Sequence, residues 1–194
     1  MTTITIRPVT AEEFAAFVDR PENAGRYFEL DEGEIIELPP PKPPHGFVSG
    51  NIGAMLWLYC RKRGRGYVFS NDTGVVVGRD PDTVRGPDVM LYDDNTTAEE
   101  IVSDESYLET PPVLAVEILS PSNRYSQIVK KVNQYLTAGV RLVWVIDPPV
   151  REVTAYRPGT EPEFIAPDGE LTGGDVLPGL AINVVELFRK PGEK

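Results

Sequence analysis

The chain has 194 residues, of which 30 are acidic and 19 are lysine or arginine, so its formal net charge is −11. This length predicts a single domain, residues 1–194, with room for a full hydrophobic core. The acidic charge argues against broad non-specific binding to nucleic acid, but it is compatible with a local basic groove and suits a protein that concentrates divalent cations. The single cysteine, Cys60, excludes an intrachain disulfide framework and a cysteine-rich zinc site.

Targeting and membrane signals are not found in the sequence. No apolar run has the length of a membrane span, and the first residues lack the architecture of a signal peptide. We therefore expect a soluble, cytoplasmic protein with no membrane partner. The one dense basic cluster, residues 61–65, is interpreted as a solvated helix end.

The first third of the chain predicts a short helix, a hairpin and a long helix. Thr10 and Glu13 have the spacing of a capping box, which starts a helix that runs to about Asp19. A turn at residues 31–33 separates two short strands, and a proline-rich loop then leads to the long helix. These elements are expected at Tyr27–Leu30, Glu34–Leu38 and about His45 to Arg63. Trp57 in the long helix and Trp144 further on lie in apolar runs and are predicted to be core residues.

The chain after Gly64 is predicted to be rich in strands. Residues 66–70 and 74–78 are interpreted as adjacent strands, and residues 79–83 as a polar turn. Residues 85–92 are interpreted as one strand with Asp88 at its start. The acidic segment 93–109 is expected to be a surface loop or a short helix.

Residues 111–147 have the pattern of a strand, a turn, a helix and a second strand. Apolar runs at 113–119 and 141–146 predict two buried strands, of which the first carries a single acid, Glu117. Between them, apolar residues recur at helical spacing from about Tyr125 to Ala138, and Gly139 follows as a C-cap. A β-α-β unit of this kind favours parallel strands with the helix packed across them.

The register of this helix separates two neighbouring lysines. At about 100° per residue, Lys130 points nearly opposite the apolar face and is expected to face solvent. Lys131 lies at the edge of that face, one turn before Tyr135. Spacing alone leaves two readings open: Lys131 reaches the carboxyl end of the Glu117 strand, or it extends along the rim of the core with its ammonium group in water.

The last fifty residues predict smaller elements and no linker to a second domain. Residues 152–156 and 163–166 are interpreted as a hairpin, residues 173–181 as turn-rich, and residues 184–189 as a final helical turn.

Asp88, Glu117 and Lys131 are the candidates for chemistry. Two carboxylates that converge from neighbouring strands form an oxygen-rich site for a hard cation such as Mg²⁺ or Mn²⁺, with the backbone carbonyl of Ile118 as a third ligand. Such an ion activates water and stabilises charge on a phosphoryl oxygen, and a nearby lysine can assist. The alternative is that the buried acid has only a structural partner.

Several segments in this order resemble the Uma2 family over roughly residues 8 to 188. They are YFELDEGE at 27–34, the Pro44-His45-Gly46 step, RGPDVMLY at 85–92, PPVLAVEILSPSNR at 111–124, KKVNQYLTAGVRLVWVIDP at 130–148 and GGDVLPGL at 173–180. The family resembles restriction endonucleases of the PD-(D/E)XK fold. The resemblance thus implies an α/β fold of mixed α+β type: a restriction-endonuclease-like core, in which a mixed β-sheet is flanked by helices, with extra N- and C-terminal β-hairpins.

The resemblance also assigns roles to residues. Asp88 matches the motif aspartate and Glu117 the second motif acid. The usual lysine position holds Leu119, which cannot do that work, and Lys131 matches family members in which the lysine has moved to the next helix.

Three further residues are expected to border the site. Glu29 would lie on the strand before the long helix and His45 at that helix's start, while Tyr135 follows Lys131 by one turn. Each has an ordinary alternative: a strand carboxylate for Glu29, an exposed capping neighbour for His45 and core packing for Tyr135.

The resulting functional hypothesis is a Mg²⁺- or Mn²⁺-dependent endonuclease that hydrolyses DNA phosphodiester bonds. The alternative is a protein that keeps the nuclease fold for binding or assembly without cutting, which the net charge of −11 favours. Hydrolysis of a smaller phosphate ester is a third hypothesis. A homodimer is expected, because restriction-type folds often pair and the β-rich C-terminal part offers strand edges.

Overall fold

The computed structural model describes residues 7–71, 73–93, 107–121, 124–190 and 192–193. Within these residues the α-helices are α1 (Ala11–Val18), α2 (Pro43–Arg63), α3 (Tyr125–Ala138) and α4 (Val184–Phe188), with a short 3₁₀ helix at Pro21–Asn23. The strands are β1 (Tyr27–Asp31), β2 (Glu34–Leu38), β3 (Tyr67–Ser70), β4 (Val75–Gly78), β5 (Thr83–Arg85), β6 (Val89–Tyr92), β7 (Leu114–Ile118), β8 (Leu142–Asp147), β9 (Glu152–Tyr156), β10 (Glu163–Ile165), β11 (Glu170–Gly173) and β12 (Leu177–Asn183). The fold is therefore mixed α+β, as predicted.

A six-stranded mixed sheet forms the centre of the molecule, in the order β10-β9-β8-β7-β6-β3. Its strands β7 and β8 pair in parallel, from Leu114 opposite Leu142 to Ile118 opposite Ile146. The helix α3 connects them and ends at Gly139, whose φ of 105° is in the left-handed region that glycine adopts without strain. The predicted β-α-β unit is confirmed.

Two helices cover the two faces of this sheet, because alternate residues of each strand point to opposite sides. The residues Val48, Ile52 and Leu56 of α2, at helical spacing, pack on one face. Residues Ile128 and Val132 of α3 pack on the other. Each fully buried side chain of this size contributes roughly 1.5–3 kcal/mol to folding through the hydrophobic effect. The central strands are thus covered on both sides, and polar chemistry is confined to the strand ends.

A second, four-stranded sheet has the order β2-β1-β5-β4. The hairpin β1–β2 was predicted, but its neighbours were not. Strands β3 and β4 are not adjacent as predicted: β3 pairs with β6 and β4 with β5, in different sheets. Residues 85–92 are not one strand either, because Gly86 and Pro87 separate β5 from β6, and a proline has no amide hydrogen for a sheet ladder.

The remaining predictions are mostly confirmed. Strands β9 and β10 form the expected hairpin and α4 is the final helical turn, while the turn-rich segment 173–181 contains much of a two-stranded sheet, β11–β12. Trp144 is fully buried, but Trp57 is 52% exposed on the outer face of α2, so its prediction as a core residue is wrong. Cys60 is buried.

Three sequence predictions need a further comment. The basic cluster is partly ion-paired rather than simply solvated, since Arg63 and Arg65 both bind Asp93. Most of the acidic segment 93–109, and part of the turn before α3, lie outside the described residues. None of the helices in the described ranges combines the length and the apolar composition that a bilayer span requires.

Candidate active site

A pocket of about 300 Å³ lies where the two sheets meet the first turns of α2 and α3. The antiparallel pairing of β6 with β7 brings the start of β6 beside the carboxyl end of β7. Asp88, which directly precedes β6, therefore lies next to Glu117 and Ile118 at the end of β7. The six predicted site side chains and the backbone-ligand residue Ile118 all belong to this region: Glu29, His45, Asp88, Glu117, Lys131 and Ile118 line the pocket, and Tyr135 lies directly behind it.

Asp88 is held by one partner at each carboxylate oxygen. Its Oδ2 accepts a hydrogen bond of 2.6 Å from the amide of Ile118, the residue that follows Glu117. Its Oδ1 lies 3.0 Å from Nε2 of His45 in the first turn of α2. The position of Asp88 is therefore fixed by the strand that carries the second acid, and His45 is a neighbour of the site rather than an exposed residue.

Glu117 is a buried carboxylate on the α3 side of the sheet. The hydroxyl of Tyr135 donates a 2.5 Å hydrogen bond to its Oε1, and Nζ of Lys131 lies 3.3 Å from its Oε2. Burial raises the pKa of Glu117 to about 7, and the negative charges of Asp88 and Glu29 add to this effect, while Lys131 and the Tyr135 hydrogen bond oppose it. The site therefore holds negative charge at an energetic cost that a bound cation would lower.

Lys131 extends from α3 into this acidic region instead of along the rim of the core. Its Nζ lies 2.8 Å from Oε1 of Glu29 as well as 3.3 Å from Glu117, and only 16% of its side chain is exposed. Burial alone would lower the pKa of Lys131, but these two carboxylates outweigh it and raise the pKa. Lys131 thus stays charged, and the open question about its direction is answered.

Lys130 differs from the prediction that it faces solvent. It is 41% exposed, and its Nζ makes ion pairs of 2.9 Å with Asp31 and 3.2 Å with Glu32. The helix register is right, since the two lysines point in different directions, but the hairpin of β1 and β2 approaches α3 closely enough to bind the outer lysine as well.

Sequence reasoning missed Arg85, whose side chain is 4% exposed. It makes ion pairs of 2.8 Å with both Glu29 and Asp31, and its Nε and Nη2 donate to Oε1 of Gln134 at 2.9 and 2.7 Å. Two signals were present: Glu29 and Asp31 lie two residues apart on one strand, and so on one face, and Lys130 and Gln134 lie four apart on one helix. Neither signal identifies Arg85 without the pairing of β1 with β5.

The donor set is suited to a hard cation, although it is small. Among the described residues, no group of three or more histidine, cysteine or carboxylate side chains could hold a metal ion. The side chains of Asp88 and Glu117 supply two carboxylates, and Mg²⁺ is commonly held by one or two carboxylates together with water and substrate phosphates. Each of the four oxygens already lies within 3.3 Å of one donor group and keeps a second lone pair. The residues present therefore fit such an ion.

The mixed sheet flanked by helices is similar to a nuclease fold, as the comparisons with known proteins show. The chain belongs to the Uma2 family, because the model of this family, described as "Putative restriction endonuclease", matches residues 11–185. No curated protein matches the chain. The solved structure of a protein from Anabaena variabilis, described as a putative nuclease belonging to DUF820, is similar in fold with a TM-score of 0.75. It is 24% identical, and the match covers 93% of this chain and 98% of that one.

Proposed function

We propose that this protein is a Mg²⁺- or Mn²⁺-dependent endonuclease that hydrolyses DNA phosphodiester bonds. The observation that carries the proposal is the junction of Asp88 with the Glu117 strand, beside a largely buried lysine that is shared by two carboxylates. The description of the family as "Putative restriction endonuclease" and that of the Anabaena variabilis protein as a "putative nuclease" support the same reaction class.

In this proposal Asp88, Glu117 and the backbone carbonyl of Ile118 hold the metal ion. In a strand the amide and carbonyl of one residue point to the same neighbour, and the Ile118 amide points to Asp88. Extending the register from the Val89–Val116 pair brings Pro87 opposite Ile118, and Pro87 has no amide hydrogen to donate to its carbonyl. When bound, the ion would activate a water and stabilise charge on the phosphoryl oxygens.

Lys131 supplies the cation that the motif position occupied by Leu119 cannot supply. Its ammonium group is pre-positioned and desolvated, so it can stabilise the charge that develops on the scissile phosphate without reorganising. Tyr135 orients Glu117 through its hydroxyl, and Glu29 orients Lys131. His45 steadies Asp88 until substrate and metal enter.

The direct test is a cleavage assay on single-stranded, duplex and branched DNA with Mn²⁺, comparing the wild type with Asp88→Ala and with a metal-free sample containing EDTA. Of these three samples, we expect cleavage only by the wild type with Mn²⁺. Asp93→Asn is the matched control and should cut like the wild type, because it removes an aspartate that is bound by Arg63 and Arg65 outside the pocket. Cleavage that survives Asp88→Ala would overturn the assignment of the site.

The second candidate is a binding or assembly protein that keeps the fold without cutting. Two observations favour it: the net charge of −11 opposes a polyanionic substrate, and every oxygen of Asp88 and Glu117 already has a partner. In that case the assay above gives no cleavage with any DNA. In addition, the change in protein stability on addition of Mn²⁺ would be the same for the wild type and for Asp88→Ala.

We also propose that residues 1–194 act as one domain that forms a homodimer. The strands β3 and β10 are the edges of the central sheet, and an exposed Phe164 on β10 leaves that edge suited to pairing. Light scattering at micromolar concentration should give twice the 21.5 kDa of one chain, and a single-chain mass would overturn this. A cytoplasmic location is part of the proposal, since the one cysteine is buried and free.

A further inference from the structure

Arg85 is the most heavily bonded side chain near the site, and the proposed chemistry does not use it. The guanidinium lies at the end of β5 and joins three elements: Glu29 and Asp31 on β1, and Gln134 on α3. Three of its nitrogens are engaged, at 2.7 to 2.9 Å. A planar fork of donors matches such a set of acceptors, which an ammonium group cannot do.

Glu29 connects this arginine to the candidate active site. Its two oxygens have different partners: Oε2 binds Arg85 at 2.8 Å, and Oε1 binds Lys131 at 2.8 Å. The amide of Gly86, next to Arg85, also donates to Oε1 at 3.4 Å. The orientation of the Glu29 carboxylate, and with it the position of the Lys131 ammonium group, therefore depends on Arg85.

The charge of Arg85 matters as much as its geometry. With Arg85 in place, the negative charge of Glu29 is divided between two cations, and Lys131 is left to share with Glu117. Without Arg85, Lys131 would be the remaining cation of the described residues that binds Glu29. The buried carboxylate would then draw Lys131 to itself and away from Glu117.

We propose that Arg85 is a positioning residue of the active site, which acts through Glu29 to hold Lys131 between Glu29 and Glu117. This inference rests on the proposed nuclease function, and it assigns to Arg85 a role beyond joining β5 to β1 and α3. A purely structural arginine would affect stability and leave the cleavage rate of the folded protein unchanged.

The test uses variants of the full chain, judged by DNA cleavage with Mn²⁺ and by crystal structures. Arg85→Gln should lower kcat about 10–100-fold and leave KM nearly unchanged. This range is usual when a residue that hydrogen-bonds and orients an active-site group is removed. Its structure should show the Lys131 ammonium group moved away from Glu117. Arg85→Lys should restore stability but only part of kcat, because one ammonium group cannot bind all three acceptors.

A milder variant keeps the proposal testable if Arg85→Gln does not fold. Gln134→Leu removes the two hydrogen bonds that hold the guanidinium from α3, together with the one that Gln134 donates to Asp31, and leaves every charge in place. It should lower kcat less than Arg85→Gln does, in the same direction and with KM unchanged. Arg79→Gln is the control: it removes an arginine in the turn between β4 and β5 that is bound to Asp82 and Glu109, away from the site, and should leave kcat unchanged.

The outcomes separate the two proposals. If folded Arg85→Gln or Gln134→Leu cuts like the wild type, or if Arg85→Lys restores all of kcat, the positioning role is overturned. If the wild type itself cuts no DNA, the nuclease proposal fails, and the crystal structures still decide the role of Arg85: an unmoved Lys131 in Arg85→Gln contradicts it. A reduced kcat with a displaced Lys131 supports it.

Discussion

Two pairs of carboxylates lie on opposite sides of Lys131 and differ in how their charge is balanced. The Glu29–Asp31 pair is bound by Arg85 and Lys130 as well as by Lys131.

By contrast, the Asp88–Glu117 pair has Lys131 as its one permanently charged partner among the described residues, with His45, a tyrosine hydroxyl and a backbone amide as its other donors. Carboxylates thus form a neutralised ion-pair network at Glu29 and Asp31, whereas the carboxylates of Asp88 and Glu117 keep more of their negative charge unbalanced.

The pKa values follow this difference. Burial acts to raise the pKa of both Asp31 and Glu117. For Asp31, hydrogen bonds from Lys130 and Gln134 and the charge of Arg85 outweigh burial, so its pKa is lowered. For Glu117 burial prevails and the pKa rises to about 7. The comparison teaches that Glu117, unlike Asp31, is short of positive charge, which is what a metal ion supplies.

The largest expected effect is on stability, when one acid of each pair loses its charge. Glu29→Gln should lower the free energy of unfolding by about 3–5 kcal/mol, because it breaks a buried ion pair and leaves the charge of Arg85 poorly compensated. At pH 8 in EDTA, Glu117→Gln should lower the free energy of unfolding far less, or raise it, because a charged carboxylate is costly at this buried position. Urea denaturation measures both. Equal losses would show that the two pairs do not differ.

The next effect concerns the lysine between the pairs. Lys131→Ala should reduce DNA cleavage by about two to three orders of magnitude, the usual cost of removing one electrostatic group, and should leave Mn²⁺ binding nearly intact. Its neighbour Lys130→Ala should do little, because Lys130 binds Asp31 and Glu32 on the outer side. If the Lys130 variant were inactive and the Lys131 variant active, the assignment would be reversed. If both cut like the wild type, the lysine has no catalytic part.

The pH dependence of stability should have opposite signs for Glu117 and Asp31. The raised pKa of Glu117 gives a contribution that is full below its ordinary value of 4.5 and is lost as the pH rises through about 7. The lowered pKa of Asp31 gives a contribution that is present above 3.8 and is lost as the pH falls.

Thermal unfolding of the wild type, Glu117→Gln and Asp31→Asn in EDTA, from pH 3 to pH 8, compares these contributions. The advantage of the wild type over Glu117→Gln should shrink toward high pH, and its advantage over Asp31→Asn should shrink toward low pH. Parallel curves for all three proteins would contradict the charge balance described above.

Local sequence signals predicted the region around β7, α3 and β8 almost residue by residue. Periodicity, the C-cap at Gly139 and the apolar strands are all encoded within about forty residues, and the two strands pair with each other. The helix register also predicted that Lys130 and Lys131 point in different directions, although spacing alone left the direction of Lys131 open.

The four-stranded sheet was not predicted, because its pairing is non-local. The contact of Leu30 with Val84 joins β1 to β5 across more than fifty residues, and nothing near Arg85 in the sequence indicates it. This pairing is what brings Arg85 to Glu29. The prediction that Trp57 is a core residue was wrong for a related reason. Periodicity identifies an apolar residue, but only the packed structure shows that no element of the described residues covers this side of α2.

Metal binding by the Asp88–Glu117 pair is the central claim, and calorimetric titration with Mn²⁺ tests it most directly. The wild type should bind, Asp88→Ala should lose that binding, and Asp31→Asn should keep it, because the charge of Asp31 is already balanced by Arg85 and Lys130. Equal binding by the wild type and Asp88→Ala, or loss of binding in Asp31→Asn, would place the ion elsewhere and contradict the claim.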